Sequence, residues 1–467
     1  MTSVFTIVSW LDPHKKPNVH RFFVWAIFLV LGPLAIQPAA AQSQPDQSQP
    51  DQSQPDQQTS DEEALILTED EAVRRALSLP ERTDIWQAQV AGAKAQALSR
   101  GAWPNPQVQY SREQTFEDNQ AISEDFVLLE QALPLSGRRG LLADAARKRA
   151  EAIRLEALAQ GRHISLRVRQ AFYQALYRQR RMEVRRQWLG RMKEAEEALA
   201  QRVDAGESAP YELERLRKEL AEIQASMAID QAMLDTRRTD LAALLGMTSA
   251  ETQKSLRMSG QILPDALPTD QQLRASIQNR PEFVAARERI EAARLETQAA
   301  SRWWIPEPTL TGGYKGADSG NIDAERFHGF VAGIALAVPV FNQHDGERKA
   351  ADAALVRAKS QQQLIERRLN AEVLGLAQPA RRLKKAAQTY RTQGVERAQR
   401  VLEMARQSYF GGEVGILELL DAYRGAIDSQ LRALDLSAET RELQIELRRS
   451  LDRLDDIESR PLQNEKQ

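Results

Sequence analysis

The sequence predicts a mainly α-helical chain with a membrane β-barrel portion, built as two copies of one plan: helix, strand pair, long helical hairpin. Three observations carry that prediction. Around Tyr409–Ala422, and earlier around Arg202–Leu213, apolar seams at alternating three- and four-residue steps run into and out of a glycine-containing turn. Between the helical segments lie four stretches of about ten residues, three with an apolar period of two and one, Phe126–Leu133, an apolar run. Finally, the prolines, turn glycines and capping residues of the first half recur in the second half in the same order.

Composition agrees with long helices packed side by side. Only 6% of the 467 residues are aromatic, 27% are charged, and Ala, Arg, Glu, Gln and Leu dominate. The net charge of −2 gives no case for a nucleic-acid partner. The basic run Arg178–Arg181 is expected to be the solvated face of a helix. There is no cysteine, so disulfides, a thiolate metal site and lipidation through an N-terminal cysteine are all excluded.

Residues 1–41 read as an export signal. Lys15, Lys16 and Arg21 precede the apolar run Phe22–Leu31, Gly32-Pro33 ends it too early to span a bilayer, and Ala39-Ala40-Ala41 offers a cleavage site. Residues 42–66 read as a disordered linker, because Ser43-Gln44-Pro45-Asp46-Gln47 and its repeats have nothing to bury.

The first repeat is placed at 67–262. Thr68 with Glu71 predicts a capping box opening a helix that runs to about Gly101 and stops at Trp103-Pro104-Asn105-Pro106. A strand over about 106–116 follows, with Val108 and Tyr110 alternating with Gln107, Gln109 and Ser111. A polar loop leads to a second strand over about 124–134. After Pro134-Leu135-Ser136-Gly137, one helix is predicted to reach Asp204, and its partner to return from Pro210 to about Leu245, where Gly246 stops it. The second repeat, 263–457, copies this. Thr269 opens a helix, Arg280-Pro281-Glu282 overlies Leu79-Pro80-Glu81, and Pro306 and Pro308 overlie Pro104 and Pro106. Strands are expected at about 308–316 and 327–338, the latter with Phe330, Ile334, Leu336 and Val338 on one face. A long helix begins near Gly346, with Pro379 expected to kink it locally, and its turn lies at 411–415. Residues 458–467 read as a flexible tail.

Each strand has the length that crosses a bilayer when tilted in a barrel. Four strands cannot close, and an open edge in lipid leaves backbone groups unsatisfied. The strands must therefore be pooled between chains, with the helices forming a second tube below the membrane.

With its duplicated plan, its paired prolines and its two hairpin turns, the sequence resembles the TolC family of outer-membrane efflux channels from about Leu67 to Leu454. The exits Leu129-Glu130-Gln131-Ala132-Leu133-Pro134-Leu135-Ser136-Gly137-Arg138-Arg139 and Val338-Pro339-Val340-Phe341 resemble those of that family, the first most like its heavy-metal (CzcC/CusC-like) branch. The resemblance implies a homotrimer in outer-membrane lipid, docked through its helix tips onto a periplasmic adaptor and an inner-membrane pump. It implies that Glu418 and Asp421 ring the periplasmic aperture. It implies that Glu212 and Tyr409 latch the closed tip, whereas Val414 replaces an arginine that some members use there. It further implies that Gly206, Glu207, Ser208 and Ala209, with Gly412, Glu413, Val414 and Gly415, touch the adaptor. Each residue also has a plainer reading. Glu418 and Asp421 suit the first turns of any helix, Tyr409 suits a seam, and the glycines suit any chain reversal.

No enzyme and no cofactor are expected. His14, His20, His163, His328 and His344 are scattered, and no hydrolase, zinc-protease or phosphate-loop motif occurs. His344-Asp345 reads as a cap and turn, since two adjacent residues do not complete a coordination shell. The expected function is a passive exit duct of a tripartite efflux system for divalent metal cations. The competing readings are a duct for drugs or secreted polypeptides and, from another class, a periplasmic coiled-coil adaptor. An adaptor usually carries one hairpin between globular β domains, unlike the two hairpins and four strands here.

Overall fold

The structure, a computed structural model, describes residues 65–117, 120–248, 256–318 and 327–449. The export segment, most of the linker and the C-terminal tail lie outside the described residues. The two copies of the plan are explicit. In the first come β1 (Ile66–Leu67), α1 (Glu69–Leu77), α2 (Pro80–Gly101), β2 (Gln107–Glu117), β3 (Gln120–Ala132), α3 (Arg138–Asp204) and α4 (Pro210–Leu244). In the second come β4 (Arg257–Met258), α5 (Asp270–Ile277), α6 (Pro281–Ser301), β5 (Thr309–Asp318), β6 (Phe327–Ala335), α7 (Asp345–Thr389), a π-helical segment Tyr390–Gly394, α8 (Val395–Phe410) and α9 (Ile416–Arg448).

Both repeats open on a capping box. The Thr68 hydroxyl accepts from the Glu71 amide at 3.4 Å, and the Glu71 carboxylate accepts from the Thr68 amide at 3.0 Å. Thr269 and Gln272 do the same at 3.3 and 3.0 Å. The single helix expected from Thr68 to Gly101 is in fact two. Proline pushes its predecessor out of the helical region, so Leu79 is extended (φ −61°, ψ 124°) and α2 restarts with Pro80 in its first turn. Arg280 and Pro281 repeat that break in the second half.

The rod α3 is unbroken for 67 residues, which at ~1.5 Å per residue is roughly 100 Å. Its counterpart is less regular. Pro379 lies inside α7 without ending it. The irregular turn falls further on, at Tyr390–Gly394, where five residues take π-helical bonding. There the Tyr390 ring lies 3.0 Å from where a Cβ on residue 394 would be, so the glycine makes room for it.

The four long strands form one antiparallel sheet in the order β2-β3-β5-β6. The hairpins of the two repeats join through β3 and β5, with Val127 opposite Tyr314 and Ala132 opposite Thr309. The fourth strand ends at Ala335, so Leu336 and Val338 fall outside it. Ala335 pairs with Thr309, and the next partner position is Pro308, which has no amide hydrogen to offer the ladder. A second, two-residue parallel pairing, Ile66 with Arg257 and Leu67 with Met258, ties the starts of the two repeats together. It is too short to show a period.

Two of the apolar clusters position the hairpins. One gathers Leu67, Phe172, Leu176, Leu241, Leu245, Leu256 and Met258 around the β1–β4 pair. The other runs down the hairpins through Trp188, Met192, Leu199, Leu216, Leu402, Tyr409, Leu420 and Tyr423. No helix among the described residues is long and apolar enough to cross a membrane.

Candidate functional site at the hairpin tips

The two tips are built the same way. After α3, Gly206 takes a left-handed conformation (φ 78°), and after α8, Gly412 does too (φ 76°). In each, the glycine amide donates to the third carbonyl back: Gly206 to Val203 at 3.0 Å, Gly412 to Tyr409 at 3.1 Å. The following amide donates to the fifth: Glu207 to Arg202 and Glu413 to Ser408, both at 2.8 Å. These bonds close the orphan carbonyls of both helix ends and turn the chain sharply enough for the next helix to return antiparallel. Ser408 also donates its hydroxyl to the Glu413 carboxylate at 2.9 Å.

Just above the turns, the two hairpins meet. The Tyr409 hydroxyl donates to Glu212 Oε2 at 2.7 Å. Tyr409 is buried in the seam, and the Arg202 guanidinium lies 6.0 Å from the centre of its ring. Burial, and then the hydrogen bond to Glu212, push the Tyr409 phenol up to about 12. The phenol is thus a donor over the whole ordinary pH range. Val414 packs against the same apolar cluster.

Glu418 and Asp421 lie one turn apart on the exposed side of α9. Neither joins the Tyr409–Glu212 contact, nor do they form an ion pair among the described residues. Glu418 Oε2 comes within 3.1 Å of where a Cβ on residue 415 would sit, so its carboxylate folds back over the start of the helix. Within one chain they are a first-turn acid and its neighbour.

The structure also contains contacts that the sequence did not suggest. Arg424 on α9 grips the carboxylate of Glu219 on α4 with two nitrogens, Nε at 2.8 Å, and Glu219 is only 5% exposed. Higher up, Asp230, 2% exposed, accepts from Arg178 and Arg181 at 3.3 Å and Arg185 at 2.6 Å, while Arg181 also reaches Asp435 at 3.1 Å. The solvated-face reading of Arg178–Arg181 is therefore corrected for Arg178 and Arg181, which turn inward to a buried carboxylate. Trp188 donates its indole N–H to Gln430 at 2.9 Å. These bonds link α3, α4 and α9 along their length. Only their partners in space identify them, since each side chain looks like an ordinary helix charge in sequence.

His344 takes the position ahead of α7, with φ 55°, and its amide donates to the Asn342 side chain at 3.0 Å. No cluster of three metal-ligating side chains occurs among the described residues.

The sheet at the other end has two distinct faces. The register puts the pair Val108–Leu129 and the pair Leu310–Ile334 on one face, with Tyr110, Val127, Tyr314 and Phe330 aligned as a row on the same face. All eight are exposed within the chain. Gln109, Ser111, Glu130, Thr309 and Thr311 alternate onto the other face. Among the described residues, the outer edges of β2 and β6 have no partner strand.

Residues 273–453, most of the second repeat, match the family described as outer membrane efflux protein, and the first repeat has the same elements in the same order. Over those residues the chain is similar to the outer membrane efflux proteins. Among similar proteins, the cobalt-zinc-cadmium resistance protein CzcC of Cupriavidus metallidurans is 22% identical over 343 residues, 72% of this chain and 78% of that protein. The cation efflux system protein CusC of Escherichia coli is 26% identical over 249 residues, and the match spans about half of each, 50% and 51%. Among solved structures, a membrane protein from Pseudomonas aeruginosa superposes with a TM-score of 0.69 at 21% identity, covering 82% of this chain and 90% of that one. A CusC structure does so with a TM-score of 0.66 at 20% identity, covering 82% and 91%. The efflux-protein fold therefore extends well beyond the matched second repeat.

Proposed function

We propose that three copies of this chain form the outer-membrane exit duct of a tripartite efflux system, and that its cargo is divalent heavy-metal cations. The observation that carries the reading is the open sheet: four strands, two unpaired edges and one apolar face. An edge left open in lipid leaves its amides and carbonyls unsatisfied, at several kcal/mol apiece in hydrocarbon. Closure with the sheets of other copies satisfies them, and three such sheets make an antiparallel barrel. The exposed rings of Trp103 and Trp304 precede the odd strands, and Tyr110 lies seven and Tyr314 ten residues on. At ~3.3 Å per residue, projected through a strand tilt of ~40°, the two separations correspond to roughly 18 and 25 Å, close to the ~25 Å apolar band of an outer-membrane barrel.

The helical hairpins extend from the barrel towards the periplasm. Their matched tips, Gly206–Ala209 and Gly412–Gly415, are the surfaces offered to a periplasmic adaptor and, through it, to an inner-membrane pump. In a threefold tube Glu418 and Asp421 would stack as two carboxylate rings that concentrate cations and oppose anions. The names of the relatives, cobalt-zinc-cadmium resistance and cation efflux, point to the same cargo. The chain is delivered by cleavage of its signal near Ala41, without an N-terminal lipid. Transport needs no catalytic step in this chain, because the pump supplies the energy.

Deleting the chain from its host tests the cargo. Sensitivity to cobalt, zinc or cadmium salts is expected; sensitivity to organic drugs alone would move it to the drug-exporting members. The purified protein in mild detergent should have the mass of three chains, and a monomer with an intact β signal would overturn the assembly.

A further inference from the structure

We infer that Glu219 and Arg424 form a second, ionic latch on the closed tip, in addition to the Tyr409–Glu212 contact. This rests on reading the tips as a gate. Glu212 and Glu219 stand seven residues apart on α4, one heptad, so they share the side of the helix that meets the second hairpin. Each carboxylate reaches a different helix of that hairpin: Glu212 takes the phenol of Tyr409 on α8, and Glu219 takes the guanidinium of Arg424 on α9. Leu216, buried between them, packs with Leu419, Leu420 and Tyr423 to form the apolar floor.

The two contacts differ in what happens when the hairpins part. Glu212 is only half-buried and can turn to water when Tyr409, itself buried in the seam, leaves it. Glu219 is buried against that apolar floor and has Lys218 as its other cation, 3.7 Å away. Arg424 instead keeps about half of its side chain exposed. Sliding α9 away from α4 therefore strips the two-nitrogen partner from a carboxylate that sits largely out of water and leaves it only the more distant Lys218, a costly way to break an ion pair. Planar two-nitrogen geometry makes the contact directional as well, so it resists rotation of α9 and not only separation. Arg424 also lies one turn beyond Asp421, on the same exposed side. Release of Arg424 from Glu219 would free a cation next to the aperture acids at the moment of opening. Val414, in the turn, carries no charge; Arg424 supplies the cation of the tip from the helix instead.

The test is the resting conductance of the purified trimer in planar bilayers. Arg424→Gln and Glu219→Gln should each raise it severalfold, the double variant should add little to either alone, and Arg424→Lys should restore most of the closure. Because the chain has no cysteine, Glu219→Cys with Arg424→Cys makes a unique pair. In a Tyr409→Phe background, bridging that pair by oxidation or a short bis-maleimide should return conductance to the basal level, and cleaving an oxidised bridge should release it. A bridged channel that conducts like the unbridged one overturns the latch. So does Arg424→Gln at basal conductance while Tyr409→Phe and Glu212→Gln open the channel. If those last two also leave it closed, the gate reading itself has failed.

Discussion

Tyr409 and Glu212, 197 positions apart in the chain, are joined by a hydrogen bond of 2.7 Å that ties the second helical hairpin to the first just above their turns. Of the four gate residues that the sequence resemblance implies, these two are the pair that the fold of a single chain brings together. A tyrosine donor on a carboxylate in a half-wet seam is a charge-assisted bond, strong enough to bias a closed state and weak enough to break in use. Tyr409→Phe and Glu212→Gln are each expected to raise resting conductance with no change in ion preference. Basal conductance in both would remove the contact from the gate.

The phenol also sets an alkaline limit. Its ordinary value of 10.0 is raised in the folded protein to about 12. A raised value means the contact stabilises fully below pH 10 and is lost as pH climbs through about 12. Resting conductance should stay flat up to pH 10 and rise between 10 and 12, and the step should vanish in Tyr409→Phe. A step that persists in Tyr409→Phe would assign it to another group.

Glu418 and Asp421 act only if several copies bring them together. Glu418→Gln with Asp421→Asn should lower cation preference and blunt block by multivalent cations, while leaving trimer stability intact. The reversal potential across a salt gradient is the measurement. If it does not move, the two are ordinary first-turn acids.

Three turn glycines separate conformational strain from steric fit. Gly206, Gly246 and Gly412 all have positive φ, but a Cβ at 206 or 412 meets nothing within 4 Å, whereas one at 246 would come within 2.6 Å of the Leu79 side chain. Alanine at 206 or 412 should cost about 1 kcal/mol from the left-handed backbone alone. Gly246→Ala should lower the melting temperature further, because Leu79 must move too. At the adaptor, Gly412→Trp should abolish export while the trimer still assembles; surviving export would place docking elsewhere.

The lipid-facing side of the sheet can be tested with neighbouring residues. Leu310 and Thr311 are adjacent in β5 and point to opposite faces. Leu310→Lys should cost roughly 2–4 kcal/mol near the middle of a bilayer and block insertion, whereas Thr311→Lys should fold normally. The reverse outcome would swap the two faces.

Much of this protein was written in local pattern. The duplication, the long rods, the hairpin turns and the capping boxes follow from residue type and period, because each is fixed within one or two turns of backbone. Gly206 and Gly412 could be paired in sequence, since a helix reversing at that angle needs a left-handed residue just past its end. Glu212 and Tyr409 were singled out by resemblance, but their bond needed the two hairpins to be laid side by side. Tertiary packing alone decided the rest. It turned Arg178 and Arg181 inward onto Asp230, gave Arg424 to Glu219, and paired Ile66–Leu67 with Arg257–Met258. A charged residue on an Ala-rich helix looks the same in sequence whether it meets water or a carboxylate from a helix two hundred residues away. Only burial, which removes the competing water, distinguishes the two.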